Sequence, residues 1–131
     1  MEHDKADLEA IRTMLIRFRD ERNWKQFHNL KNLIISLNLE AAELLELTQW
    51  KSDEELLRLS STDAGFREQL ADECADVLLY LLLVAGEGGI DLLKAAEDKI
   101  RKNAEKYPVD QSYGSAAKYT ELKQRSRADK S

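Results

Sequence analysis

Two acid pairs, Glu40/Glu43 and Glu73/Asp76, interrupt Leu-rich segments at positions where the surrounding pattern calls for carbon. The i, i+3 spacing within each pair puts both carboxylates on one face of a helix, close enough to grip the same cation. Leu30, Leu33, Leu37, Leu44 and Leu47 form an apolar stripe with one member missing, and Glu40 takes its place. Phe66, Leu70, Val77, Leu81 and Val84 form a second stripe, in which the vacant place holds Glu73. Ionised carboxylates are seldom left in an apolar seam without something positive to neutralise them. Two coincident violations point to one cause: carboxylates from two facing helices gathered around hard metal ions. Oxygen-only donors suit Mg²⁺ or Mn²⁺ better than zinc, because neither His nor Cys is placed to complete a softer site. Mg²⁺ keeps waters and borrows phosphate oxygens, so such a set implies a phosphorylated substrate.

Other readings of these acids stay open at this level. Glu-x-x-Glu is common on solvated helix faces. Lys31, Lys99 or Arg101 could neutralise one or two carboxylates, although burying several cations carries its own desolvation cost. A ferritin-like bundle holding redox metal would use Glu-x-x-His ligands, and neither His3 nor His28 stands three residues after a candidate Glu. A non-catalytic helical interaction module would leave the acids as surface charge. Glu46, a further step along the same segment, lies off the stripe and suits solvent.

Aromatic and polar residues flank the acids. Trp24 precedes the second helical segment with His28 one turn later, Trp50 stands one heptad beyond Glu43, and Tyr80 lies one turn beyond Asp76. Core packing is the ordinary use of such residues; beside a metal–phosphate site, the two Trp and His28 also make a pocket for a flat base. Lys99, Asn103 and Tyr107 recur every four residues, a polar stripe suited either to solvent or to phosphate and sugar.

Helices must position all of these groups. A chain of 131 residues, 34% charged and 43% hydrophobic with one Pro and five Gly, suits long amphipathic helices and argues against a β-sandwich. The expected fold class is all-α, a four-helix bundle. Periodicity predicts a first helix from about Lys5 to Arg22, carrying Leu8, Ile11, Leu15 and Phe18 on one stripe, and a second from about Phe27 to Trp50. A polar connector over Lys51 to Asp63 contains a short helix from Asp53 to Leu59, capped by Ser52. The third helix is expected from Thr62 or Asp63 to about Gly86, where Gly86, Gly88 and Gly89 break the chain. The fourth runs from about Ile90 to Lys106 and stops before Pro108. The expected organisation is one helical domain over 1–110 with a partly irregular tail over 111–131; regular structure is expected to end before Val109, with disorder from Gln124 to Ser131.

A net charge of −5 argues against a nucleic-acid polymer as partner, since such binders show a basic footprint, but allows a small anion held through metal. Cys74, the single cysteine, cannot form an internal disulfide, and its Leu-rich setting suits a buried thiol in a reducing compartment. No apolar run reaches the ~18 residues that a membrane span needs. The polar, acidic segment from Met1 to Asp7 is unlike a signal peptide, so no membrane partner and a cytoplasmic location are expected.

The segments FRDERNWKQFHNLKNL from Phe18, LEAAELLELTQW, LADECADVLLYLLLVA, KIRKNAEKYP and GSAAKYTEL, in that order, resemble the all-α nucleoside triphosphate pyrophosphohydrolases of the MazG-like superfamily. Within it the likeness is to the dCTP pyrophosphatase branch, and it spans about Phe18 to Leu122. The resemblance implies that Glu40, Glu43, Glu73 and Asp76 bind Mg²⁺, that Trp24, His28, Trp50 and Tyr80 contact base and sugar, and that Lys99, Asn103 and Tyr107 contact phosphate. It also implies a homodimer or a dimer of dimers. Leu39 replaces the first of two adjacent acids of the wider pattern, as in the dCTP branch, and Lys31 stands where an Arg is expected.

The activity so implied is metal-dependent attack of water at the α-phosphorus of a nucleoside triphosphate, leaving monophosphate and pyrophosphate, with Glu43 orienting or deprotonating the water. A pocket that hydrogen-bonds the 4-amino group rejects uracil far better than apolar contacts do. The substrate that the resemblance implies first is dCTP or a 5-modified dCTP, with dUTP or a purine nucleotide as alternatives.

Overall fold

The computed structural model describes residues 7–115, and every regular element in that span is helical. Helix α1 (Leu8–Glu21) leads through a 3-10 turn (Lys25–Phe27) to α2 (Leu30–Glu46); α3 (Asp53–Thr62), α4 (Ala64–Glu87), α5 (Leu92–Lys106) and the short α6 (Val109–Ser112) follow. The all-α class expected from composition is the one the chain adopts. Two compact units divide after Ile90, the first carrying α1 to α4 and the second α5 and α6. Among the described residues no helix is long and apolar enough to cross a membrane.

Helix starts follow from local chemistry. Side-chain oxygens of Asp7, Asn29, Ser52, Asp63 and Asp91 each accept a hydrogen bond from the backbone N–H three residues on, at 2.8–3.2 Å, satisfying one of the donors that a helix start leaves orphaned. The capping of α3 by Ser52 and of α4 by Asp63 is as the sequence predicts.

Several boundaries differ from expectation. Helix α2 is shorter at both ends. It starts only after Asn29 and stops at Glu46, where the Thr48 hydroxyl donates to the Leu45 carbonyl at 2.7 Å and the chain turns through Trp50 at φ 65°. Helix α4 passes through Gly86 and ends where Gly89 takes φ 64°. There the Gly89 N–H donates to the Gly86 carbonyl and the Ile90 N–H to the Ala85 carbonyl, the paired bonds of a Schellman end. Residues 109–112, expected to be irregular, form a helical turn after Pro108, whose fixed φ suits a helix start. The expectation for Gln124 to Ser131 lies outside the described residues.

In the first unit α4 is the spine, packed most extensively along α2 and also against α3 and α1. Leu33 of α2 and Leu82 and Ala85 of α4 are the buried apolar residues, at 2%, 4% and 5% exposure. Leu33 belongs to the stripe read from sequence, but on α4 the expected Leu81 and Val84 are only half-buried. Val77 to Ala85 is apolar at nearly every position, so periodicity cannot single out the face that packs. Between α2, α3 and α4 an apolar groove of about 440 Å³ is lined by Leu44, Leu45, Leu56, Leu57, Phe66 and Leu70.

Candidate active site

Packing of α2 along α4 brings the two acid pairs together. Glu40, Glu73 and Asp76, all half-buried, each offer an oxygen within 4.8 Å of the others. Glu43, one turn further along α2 and more exposed, completes the set: its carboxyl is the hydrogen-bonding neighbour of both Glu40 and Glu73. Burial pushes the Glu40 carboxyl up to about 7, reinforced by the hydrogen bond and charge of Glu43 and then by the charges of Asp76 and Glu73. Burial raises Glu73 as well, with Glu43, Asp76 and Asp72 adding to it.

The donor chemistry says what the cluster lacks. Among the described residues, Oε2 of Glu40 and Oε2 of Glu73 are buried with no hydrogen-bond partner. Facing carboxylates are acceptors only, and must share either a proton or a cation. The charges that raise Glu40 come from Glu43, Asp76 and Glu73, so the acids repel one another. Arg101, a candidate for that role, is held by Asp98 on its own helix at 3.2 Å. Half-burial of three of the acids likewise takes them off the solvated face. An oxygen-only set with two orphaned atoms fits a hard divalent ion. Glu46 is exposed at the last position of α2, as its phase suggests.

Next to the acids lies a pocket of about 200 Å³, whose lining includes Phe18, Trp24, His28, Asp76, Tyr80 and Leu83. Helix α1 ends in a Schellman motif that sets Trp24. Asn23 takes φ 54°, its N–H donates to the Asp20 carbonyl, and the Trp24 N–H donates to the Arg19 carbonyl, both at 3.1 Å. The Trp24 ring then meets Phe18 edge-on, centroids 5.6 Å apart and planes at 77°. Nδ1 of His28 is buried without a partner. Asp76 belongs to both the pocket and the acid cluster, so the two are one continuous site.

Of the residues singled out from sequence, Glu40, Glu43, Glu73, Asp76, Trp24, His28 and Tyr80 are thus brought together. Trp50 is not. It lies past the end of α2 rather than on the face of Glu43, is 92% exposed, and does not line the pocket. Lys99 and Asn103 lie on α5, and Tyr107 caps it, in the second unit. Cys74, expected to be buried, is an exposed free thiol, because Glu73 and not its neighbour faces α2. Leu15 and Phe18, which the stripe of the first helix marks only as packing residues, and Arg19, which is not on that stripe, also line the pocket.

Residues 35–122 match the model of the MazG-like family. The chain is 44% identical over 115 residues to dCTP pyrophosphatase 1 of Rattus norvegicus and 40% identical over the same length to that of Homo sapiens, covering 88% of this chain and 67% of each relative. A pyrophosphatase crystal structure from Archaeoglobus fulgidus superposes with a TM-score of 0.71 at 37% identity, over 82% of this chain and 98% of that one.

Proposed function

This chain belongs to the MazG-like family and is a nucleoside triphosphate pyrophosphatase; from that premise we propose that it converts dCTP, or a 5-modified dCTP, to the monophosphate and pyrophosphate with Mg²⁺, or Mn²⁺, as cofactor. The observation that carries this reading is Asp76, which joins a three-carboxylate cluster to an aromatic pocket of base size. A triphosphate at the cluster extends its base into that pocket.

The roles divide along the site. Trp24, Phe18 and Tyr80 offer ring faces and edges for a flat base, and exclude water from it. His28 brings an unpartnered nitrogen to the base edge, where a hydrogen bond separates cytosine from uracil. Glu40, Glu73 and Asp76 would hold the ion, which when bound neutralises the phosphates and polarises the attacked phosphorus. Glu43, the most exposed of the four, orients the water and takes its proton as the bond from the α-phosphorus to the bridging oxygen breaks. Lys99, Asn103 and Tyr107 are assigned to phosphate and sugar. A nucleotide-pool role and a free Cys74 fit a cytoplasmic setting.

We further infer a homo-oligomer, a dimer or tetramer, with sites shared between copies. Leu45 and Leu57, 68% and 63% exposed, border the apolar groove between α2, α3 and α4, a surface that a second copy would cover. Trp50, assigned to the base but remote from the pocket in one chain, would then serve a neighbour's site.

Pyrophosphate release over the canonical and 5-modified nucleoside triphosphates tests the reaction. No turnover of any triphosphate overturns it, and a preference for dUTP or purine nucleotides overturns the cytosine assignment alone. A calorimetric titration supplies a readout apart from turnover: Mg²⁺ with a non-hydrolysable dCTP analogue releases heat with the wild type and none with Glu40→Gln.

A further inference from the structure

Trp24 is 44% exposed, yet it forms a wall of the pocket. Its backbone is fixed by the Schellman bonds at the end of α1, but these leave its ring free to turn about χ1 and χ2. Against the ring stands a stack built from the same helix end. The Arg22 guanidinium lies over the Phe18 ring, 3.7 Å from its centroid, and its Nη1 donates to the Phe18 carbonyl at 3.0 Å. Phe18 in turn presses edge-on against Trp24, and the same guanidinium stands 6.0 Å from the Trp24 ring.

We propose that Arg22 is a positioning residue for the nucleotide pocket, clamping Phe18 so that Trp24 stands ready for the base. Three physical points support it. A planar cation against a ring face is attracted by the ring's quadrupole, and more so where one side is shielded from water. The carbonyl bond fixes the guanidinium on the helix that carries Phe18, so the clamp is internal to α1 and its end. Arg22 itself is absent from the pocket lining, so it acts through Phe18 and Trp24 and not on the substrate. The loose 3.9 Å approach of Arg22 to Glu21, both largely exposed, does not compete with the stack.

The proposal rests on the reading of this pocket as the base site, and the test separates the two. Arg22→Gln is expected to raise KM for dCTP about three- to tenfold with kcat within about twofold, a loss of pre-organised binding. Arg22→Lys, which keeps the charge but not the planar stack, should fall between Gln and wild type. In a Trp50→Phe background, where Trp24 is the sole indole, Arg22→Gln should shift its emission to the red and increase its quenching by acrylamide. Unchanged emission with unchanged KM overturns the proposal. A parallel loss of kcat and helical circular dichroism also overturns it, since Arg22 would then be structural. If no triphosphate is turned over, the functional reading fails while the emission measurement alone decides the clamp.

Discussion

Proton and metal compete for the same oxygens at Glu40, and the competition sets a pH dependence that can be worked out in advance. With its carboxyl at about 7, Glu40 is about nine-tenths protonated at pH 6 and about one-tenth protonated at pH 8. A divalent ion binds the deprotonated form, so the apparent affinity for Mg²⁺ or Mn²⁺ should rise about tenfold over that interval from Glu40 alone. Glu73, also raised, acts in the same direction. The metal-free fold responds with the opposite sign. Its Glu40 carboxyl is raised from 4.5 to about 7, so the folded state favours the protonated group; that contribution is complete below about 4.5 and is lost as pH rises through about 7. Metal-free protein should therefore melt lower at pH 8 than at pH 5, with the metal restoring more stability at pH 8. Calorimetry without nucleotide, at pH 6, 7 and 8 in buffers of different protonation enthalpy, reads both the affinity and the protons released. Glu40→Gln should weaken binding throughout and flatten the pH dependence of melting. Affinities at pH 6 and pH 8 within about twofold of each other, without proton release, would refute the reasoning.

The remaining predictions concern the frame around the site. Leu82→Ala empties a position only 4% exposed and should cost about 2–5 kcal/mol in urea unfolding. Asp63→Ala removes the oxygen that accepts the Phe66 N–H at 3.0 Å, and should cost about 1 kcal/mol with the unfolding m-value unchanged. Asn23→Gly should be tolerated and Asn23→Val should not, because φ is 54° there; the test is the melting temperature together with KM, both of which the Val variant should worsen. Leu45→Lys combined with Leu57→Lys should lower the mass measured by light scattering, by placing charge at the groove that a second copy would cover.

How much of this was legible before folding depends on the range of the interaction that decides each feature. Capping is local, so Ser52 and Asp63 could be read directly as helix starts. The acids were legible through phase: Glu40 and Glu73 stand out only because the leucines around them define a stripe. Where the pattern saturates, phase carries nothing. The run from Val77 to Ala85 hid the burial of Leu82 and Ala85 behind the equally apolar Leu81 and Val84. Trp50 misled for a different reason, since extending the heptad assumed a helix that Thr48 and the left-handed turn at Trp50 bring to an end.

The sequence by itself determined the helical class, most helix starts, the two acid pairs and the oxygen-only character of their chemistry, because residue type, propensity and i, i+3 spacing act within a turn or two of chain. Only the tertiary structure decided that Glu40 meets Glu73 and Asp76, that Asp76 also borders the pocket of Trp24, His28 and Tyr80, and that Trp50 stands apart. These relations depend on how α2 and α1 lie along α4, and close packing between surfaces distant in sequence fixes that register, which no local pattern encodes.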